Sequence, residues 1–145
     1  MIVAVRLAFF AFVIAFAQHA AAQASRTPSA QDWIEIKRVI AAQRAAIVAG
    51  DGERAFSFAA PSIRTHFRDD QTFMRMVRES YAALIEARYV EFLEGAVIGG
   101  EVVQPLRLVL ADGTVLVAIY GVARQPDGDW RITACAIAPS TVRSA

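Results

Sequence analysis

The sequence predicts an α+β fold in which N-terminal helices pack on a curved antiparallel sheet. Up to about residue 88, apolar residues recur at spacings of three and four, as they do on one face of a helix. Beyond that point they alternate with a period of two, and Asp-Gly turn motifs separate the resulting strands. The chain has 145 residues and 56% hydrophobic composition, which is enough for one domain with a core but too little for two.

The composition argues against several classes of function. Fifteen Lys and Arg residues against fourteen Asp and Glu residues give a formal net charge of +1, so no long-range field attracts nucleic acid. The single cysteine, Cys135, excludes an internal disulfide framework and any site built from several cysteines. His66 has no companion at metal-ligand spacing. We therefore expect no metal, no other cofactor and no nucleic-acid partner.

Residues 1–24 have the pattern of a secretory signal peptide. Arg6 is followed by an unbroken apolar run from Leu7 to Ala17, and small residues for cleavage lie between Ala20 and Ala24. The apolar run is too short for a helix that spans a membrane. The sequence therefore predicts a periplasmic or secreted protein that has no membrane association once the signal is removed.

The rest of the chain is predicted to form one domain. Residues 25–28 are a short polar linker, residues 29–140 carry the α+β pattern, and residues 141–145 are a C-terminal tail. No internal repeat or low-complexity segment divides the domain.

Three helices are predicted at the start of the domain. Ser29 and Asp32 have the spacing of a capping box, and Gly50 is a natural stop for the helix that follows. Asp51 caps a short second helix, and a further turn follows before the third. Asp70 is the predicted cap of the third helix, which has an apolar stripe formed by Phe73, Met76, Val77, Ser80, Tyr81 and Leu84.

The Asp112-Gly113 motif predicts a hairpin with a two-residue type I′ turn. Such a turn pairs Leu106 with Ile119 and Gln104 with Gly121. The face covered by the helices then consists of Val102, Gln104, Leu106, Leu108, Leu110, Val115, Val117, Ile119 and Gly121. The opposite, partly apolar face carries Arg107, Val109, Leu116 and Tyr120. An apolar outer face is commonly a contact surface, and a homodimer through this face is therefore one hypothesis.

Two glutamines are the first candidates for ligand contact. Periodicity places Gln43 on the apolar stripe of the first helix and Gln104 on the covered face of the hairpin. A buried amide without partners costs on the order of 1 to 3 kcal/mol. Each side chain therefore either bonds to other protein groups or faces a ligand and water, and both interpretations stay open.

Tyr81 and Arg78 complete the candidate ligand-binding set. Tyr81 either turns its hydroxyl into a cavity or belongs to the core with that hydroxyl satisfied. Arg78 precedes Tyr81 by one turn, in a basic ridge with Arg64, Arg68 and Arg75. This ridge is either a surface for an acidic partner or a solvated helix face.

Acid–base catalysis in a cavity under the helices requires a general base there, for which a carboxylate is a typical group. No Asp or Glu lies on the predicted covered face of the hairpin, and Glu91 or Glu94 reaches the inside only if the first strand has another register.

Cys135 lies outside, opposite Tyr120, if the turn before it has an even length, and inside if that length is odd. Both positions of Cys135 stay open.

The chain resembles the family called domain of unknown function 4864 along nearly all of the part that follows the signal. The matching positions are Trp33, Val39, Ile40, Gln43, Asp51, Ala55, Phe56, Phe58, Ala59, Ala60, Pro61, Ile63, Phe73, Met76, Val77, Tyr81, Phe92, Gln104, Asp112, Gly113, Ala118, Tyr120, Trp130, Arg131, Ile132 and Cys135. The chain departs from the family pattern at Ala134, where glycine is expected, and at Pro105. Such proteins resemble the cone-shaped superfamily that includes nuclear transport factor 2 and ketosteroid isomerase.

This resemblance implies helices wrapped against a curved sheet with room for a pocket, and it implies no established reaction. We expect an exported, noncatalytic module that binds a small apolar ligand or a protein partner. The alternative is a small-molecule isomerase or dehydratase of the ketosteroid isomerase-like type. A third hypothesis is a structural homodimer through the outer sheet face around Val109, Leu116 and Tyr120.

Overall fold

The computed structural model describes residues 27–140, so the predicted signal peptide and C-terminal tail lie outside the described residues. The helices are α1 (Ala30–Ala49), α2 (Gly52–Ser57), α3 (Pro61–Phe67), α4 (Asp70–Ser80) and α5 (Ala82–Glu86). The strands are β1 (Tyr89–Phe92), β2 (Ala96–Ile98), β3 (Glu101–Val109), β4 (Val115–Arg124) and β5 (Trp130–Pro139). These strands form one antiparallel sheet in the order β1-β3-β4-β5, and β2 pairs with β3 beside β1. The predicted α+β class is confirmed.

The start of α1 is fixed to the far end of the sheet by Asp32. The predicted capping box is present, because the Asp32 backbone N–H donates to the Ser29 hydroxyl and the Asp32 carboxylate accepts from the Ser29 N–H. The second carboxylate oxygen accepts from Arg124 at 2.6 Å and from the Trp130 indole N–H at 3.4 Å. One side chain therefore both caps α1 and joins it to the β4–β5 hairpin.

The helices after α1 are shorter and more numerous than the sequence pattern predicts. Asp51 caps α2 as expected, but the cap of α4 is Asp69, which accepts from the Thr72 N–H, and not Asp70. The predicted third helix is also broken at Tyr81, whose backbone leaves the helical region with φ −130° and ψ 31°. Its apolar stripe is thus divided between α4 and α5.

Arg44 of α1 holds α5 in place. Its guanidinium donates to the backbone carbonyls of Leu84 at 3.0 Å and Ala87 at 2.9 Å. The last carbonyls of a helix have no partner within the helix, and a cation is favourable at that end. A partly buried arginine from another helix therefore caps α5, which has only five residues.

The predicted register of the β3–β4 hairpin is wrong by one residue. Leu106 pairs with Ala118 and Gln104 with Tyr120, because the turn has three central residues in place of two. The Gly113 N–H donates to the Leu110 carbonyl, and Gly113 has φ +86°. Gly113 alone adopts a positive φ here, whereas a type I′ turn requires one at Asp112 as well.

The one-residue shift exchanges the two faces of β4. Leu116, Ala118, Tyr120 and Val122 face the helices, and Val115, Val117, Ile119 and Gly121 face outward. The expected outer patch is therefore wrong for Leu116 and Tyr120, which pack in the core with Tyr120 only 1% exposed, whereas Val109 does face outward opposite Val115. Among the side chains of the outer face, Ile119 is 40% exposed and Tyr89 is 58% exposed.

A second hairpin of the same construction joins β4 to β5, with Gly128 at φ +89°. Within β5 the register shifts once, between the pairs formed by Gly121 and Val122, which leaves Thr133 as the extra residue of a bulge. Because of this bulge, Ile132 and Cys135 both belong to the core side of β5. Cys135 thus pairs with Tyr120, and its side chain lies on the core side. The sequence-based alternatives placed Cys135 either opposite Tyr120 on the outer face or on the inner face by a change in the length of the turn, and neither included a bulge.

We expect Gly113→Ala to lower the free energy of unfolding by about 1 kcal/mol, because an L-residue pays this much for a positive φ. Nothing lies within 4 Å of the added methyl group, so the cost is one of backbone conformation alone. Urea unfolding measures it. Gly113→Asn is the matched control and should lose less, since asparagine adopts this conformation more readily. Equal losses for both variants would contradict the turn described here.

The Asp32 contacts predict a stability that depends on pH. The hydrogen bond from the Ser29 backbone, with smaller effects of the Ser29 hydroxyl, Trp130 and Arg124, holds the pKa of Asp32 below its ordinary value of 3.8. The advantage of wild type over Asp32→Asn is therefore full above that ordinary value and disappears as the pH falls through the lowered pKa. Urea unfolding over a pH series tests this, with Glu94→Gln as an exposed control. An advantage that persists at the lowest pH would contradict it.

Candidate functional site

A cavity of about 470 Å³ lies between the helices and the end of the sheet at β5. Its wall combines α1, α3, α4, α5, the central strand β4 and the edge strand β5. The residues that line it are Gln43, Ile47, Ala59, Ile63, Phe67, Phe73, Met76, Val77, Ser80, Tyr81, Leu84, Tyr120, Ile132, Thr133, Ala134 and Cys135. The wall is apolar apart from a few amide, hydroxyl and thiol groups. Ser80, Thr133 and Ala134 are exposed, which places the mouth beside them.

Tyr81 lies where the two hydrophobic clusters of the core meet, and it packs against both. Its hydroxyl donates to the Cys135 carbonyl at 2.9 Å, which fixes the break between α4 and α5 to β5. Burial raises the pKa of Tyr81, with a smaller effect of Cys135. Tyr81 is thus a neutral member of the cavity wall whose hydroxyl is satisfied within the protein, which agrees with the second of the two alternatives from the sequence.

Tyr120 is the most deeply buried tyrosine of the wall, with 1% of its surface exposed. Its hydroxyl has no hydrogen-bond partner among residues 27–140. The Cys135 thiol lies close enough to affect its pKa, but sulfur is a weak acceptor and does not satisfy the hydroxyl. Burial raises the pKa of Tyr120 well above its ordinary value, a smaller effect of Cys135 adds to this, and the Arg44 charge opposes it. A buried hydroxyl without a partner costs about 1–3 kcal/mol.

Gln43 is 4% exposed and belongs to the wall, as the periodicity of α1 suggests. Its amide N–H donates to the Ala55 carbonyl at 3.3 Å, so the side chain also holds α2 against α1. Gln43 therefore has two roles: it makes a structural contact to α2, and it is a polar group in the wall of the cavity.

Gln104 and Arg78 are not among the residues that line the cavity. Gln104 is fully buried and donates to the carbonyls of Leu93 at 2.8 Å and Pro105 at 2.9 Å. Its carbonyl oxygen has no partner in the described part of the chain. Arg78 is exposed on α4. The structure therefore brings Gln43 and Tyr81 together at one cavity and places the other two candidates elsewhere.

The titratable side chains of the wall are Tyr81, Tyr120 and Cys135. Burial raises the pKa of Cys135 to about 12, slightly offset by the nearby Tyr120 hydroxyl. All three groups are therefore neutral near pH 7, and none is a proton acceptor of useful strength. Glu91 and Glu94, the carboxylates considered for the inside, are exposed. Within residues 27–140 no three His, Cys, Asp or Glu side chains are grouped to hold a metal ion.

Tyr120 was not predicted as a site residue, because a two-residue turn places its side chain on the outer face. One signal does favour the correct face: with a three-residue turn the same motif brings Leu116, Ala118, Tyr120 and Val122 inside. The three-residue turn thus buries the aromatic ring of Tyr120, whereas the two-residue turn would expose that ring and bury Gly121. Thr133 was missed for a different reason, since its place at the mouth depends on the bulge in β5.

The raised pKa of Cys135 predicts slow alkylation of the folded protein. Compared with the ordinary value of 9.0, a pKa of about 12 lowers the thiolate fraction at pH 8 by more than a hundredfold. Iodoacetamide should therefore label the native chain at least a hundredfold more slowly than the urea-unfolded chain, and mass spectrometry follows the reaction. The native rate should still increase as the pH rises past 9. A plateau below that pH would contradict the assigned environment.

None of the helices between residues 27 and 140 is long and apolar enough to cross a membrane. No match was found among curated proteins or solved structures. A family model described as Domain of unknown function (DUF4864) matches residues 29–145, which include every residue of the cavity wall. The chain therefore belongs to the DUF4864 family.

Proposed function

We propose that this protein is a noncatalytic module that binds a small apolar ligand in the cavity between the helices and β5. The observation that carries the proposal is the cavity itself, about 470 Å³ in volume and lined mostly by aliphatic and aromatic side chains. Ligand sites of small molecules are typically concave, mostly apolar and of this size. A few polar groups in such a wall orient the ligand.

The position of the cavity also supports a binding role. It lies where the two clusters of the hydrophobic core meet, at Tyr81, so filling it would connect them. Its walls come from several elements that are fixed to one another by hydrogen bonds, such as the one between Tyr81 and the Cys135 carbonyl. A preformed wall lowers the entropic cost of binding.

No observation favours the isomerase or dehydratase alternative. That chemistry needs a general base with a pKa near the working pH. The described wall has two tyrosines and a cysteine as its titratable groups, and their pKa values are all raised. The proposed module therefore holds its ligand without converting it.

Export to the periplasm or the extracellular fluid is part of the proposal, on the strength of the signal pattern in residues 1–24. A cone-shaped fold of the nuclear transport factor 2 type is also proposed, supported by the order of helices followed by an antiparallel sheet with a cavity between them. A homodimer through the outer sheet face stays a prediction, with Ile119 and Tyr89 as its exposed apolar side chains in place of Leu116 and Tyr120.

The function is tested with the fluorescent apolar probe N-phenylnaphthylamine. Wild type should bind it with a saturable rise in fluorescence. Ser80→Trp places an indole at the mouth of the cavity and should weaken binding at least tenfold, because the bulky ring occupies the entrance. Fluorescence titration of the purified protein measures both affinities.

Glu79→Trp is the matched control. It adds the same ring at the neighbouring exposed position of α4, outside the cavity wall, and should leave the affinity within about twofold of wild type. Absence of saturable binding to wild type, or equal weakening by both variants, would refute the proposal.

A further inference from the structure

We infer that the ligand carries a neutral hydrogen-bond acceptor, such as a ketone, ester or amide carbonyl, which the Tyr120 hydroxyl receives inside the cavity. This inference rests on the proposed function and names the chemical class of its ligand. The Tyr120 hydroxyl is buried, belongs to a residue of the cavity wall and has no partner among the described residues.

Buried polar groups in folded proteins are nearly always hydrogen-bonded. Two other polar side chains of the wall are bonded to backbone carbonyls: Tyr81 donates to the Cys135 carbonyl and Gln43 donates to the Ala55 carbonyl. Among the described residues of the wall, Tyr120 is the one with a buried side-chain polar atom that has no partner. An acceptor on a bound ligand removes the cost of leaving its hydroxyl unpaired, so such a ligand gains affinity that a pure hydrocarbon does not.

The electrostatic surroundings favour an acceptor over a donor. The Arg44 guanidinium, held by the Leu84 and Ala87 carbonyls, is near enough for its charge to act on Tyr120. A positive charge attracts the lone pairs of the phenolic oxygen and turns the O–H bond away from the arginine. The hydroxyl is thereby oriented to donate.

The acceptor is neutral because the Arg44 guanidinium is engaged by two backbone carbonyls and is not part of the cavity wall. Among the described residues that line the cavity there is no Lys, Arg or His. An anionic carboxylate would be buried there without a partner, at a cost far above that of a carbonyl group. The ligand class is thus a compact apolar molecule with a neutral hydrogen-bond acceptor, such as a carbonyl group.

Solvent does not reach the Tyr120 hydroxyl in this structure, so a ligand gains access through a small rearrangement of the wall. Cys135 pairs with Tyr120 across the strands and also lines the cavity. Rotation about the Cα–Cβ bond of Cys135 moves its sulfur, and we propose that this rotation opens the path to the Tyr120 hydroxyl. Side-chain changes of this kind are common when ligands bind to otherwise rigid sites.

The test compares two ligands of nearly equal shape, acetylnaphthalene and isopropenylnaphthalene. Acetylnaphthalene has a carbonyl oxygen where isopropenylnaphthalene has a methylene group. Each competes with N-phenylnaphthylamine for wild type and for Tyr120→Phe. The substitution should weaken acetylnaphthalene about five- to tenfold, the loss of one hydrogen bond, and should change isopropenylnaphthalene by less than twofold. Tyr89→Phe removes an exposed hydroxyl from the outer sheet face and should change neither affinity.

Thermal unfolding of the same proteins without ligand separates binding from structure. Because the hydroxyl has no partner, Tyr120→Phe should melt at or above the temperature of wild type. A lower melting temperature would show that the hydroxyl is bonded within the protein and would overturn the inference. Equal effects of Tyr120→Phe on both ligands would overturn it while leaving the proposed function intact. Failure of both ligands and of the probe to bind wild type would refute the proposed function itself.

Discussion

The register between β3 and β4 determines which side chains form the core of this protein. Side chains of a strand alternate between faces, so a shift of one residue moves every side chain of the strand to the opposite face. With Gly113 alone at positive φ, the turn holds three residues, and Leu106, Ala118 and Tyr120 face the helices. The core, the cavity and the burial of Tyr120 all follow from this turn.

The helices depend on the sheet in a second way, through polar contacts between distant parts of the chain. Asp32 joins the first turn of α1 to Arg124 and Trp130, and Tyr81 joins the end of α4 to β5. These bonds reach β5 at its first residue, Trp130, and again at Cys135. Together they set how far the helices stand from β5, and that distance determines whether space is left for a ligand.

Much of the fold is predictable from local signals. Capping at Ser29 and Asp51, the stop at Gly50 and the change of period near residue 88 depend on a few neighbouring residues, and the structure agrees with each. Gln43 and Gln104 are buried, as periodicity implies. The break at Tyr81 was not predictable, because an aromatic residue in an apolar stripe gives no local reason to leave the helix, and only its bond to β5 explains it.

The candidate site was less predictable than the fold for a physical reason. A cavity is a space left between elements, so its wall is defined by tertiary packing and not by the period of any one element. Gln43 and Tyr81 were found because each belongs to the apolar stripe of its predicted helix, and part of each stripe lines the cavity. Tyr120 depends on the type of one turn and Thr133 on one bulge, and sequence periodicity records neither.

The capping of α5 by Arg44 has a consequence for the order in which the chain folds. A helix of five residues is too short to persist alone in water, because the cost of nucleation exceeds what so few hydrogen bonds return. The cation that completes its last turn lies 40 residues earlier in the chain, on a helix of twenty residues. α5 is therefore a late element, formed only once α1 has docked, and the wall of the cavity is complete only when the rest of the domain is already in place.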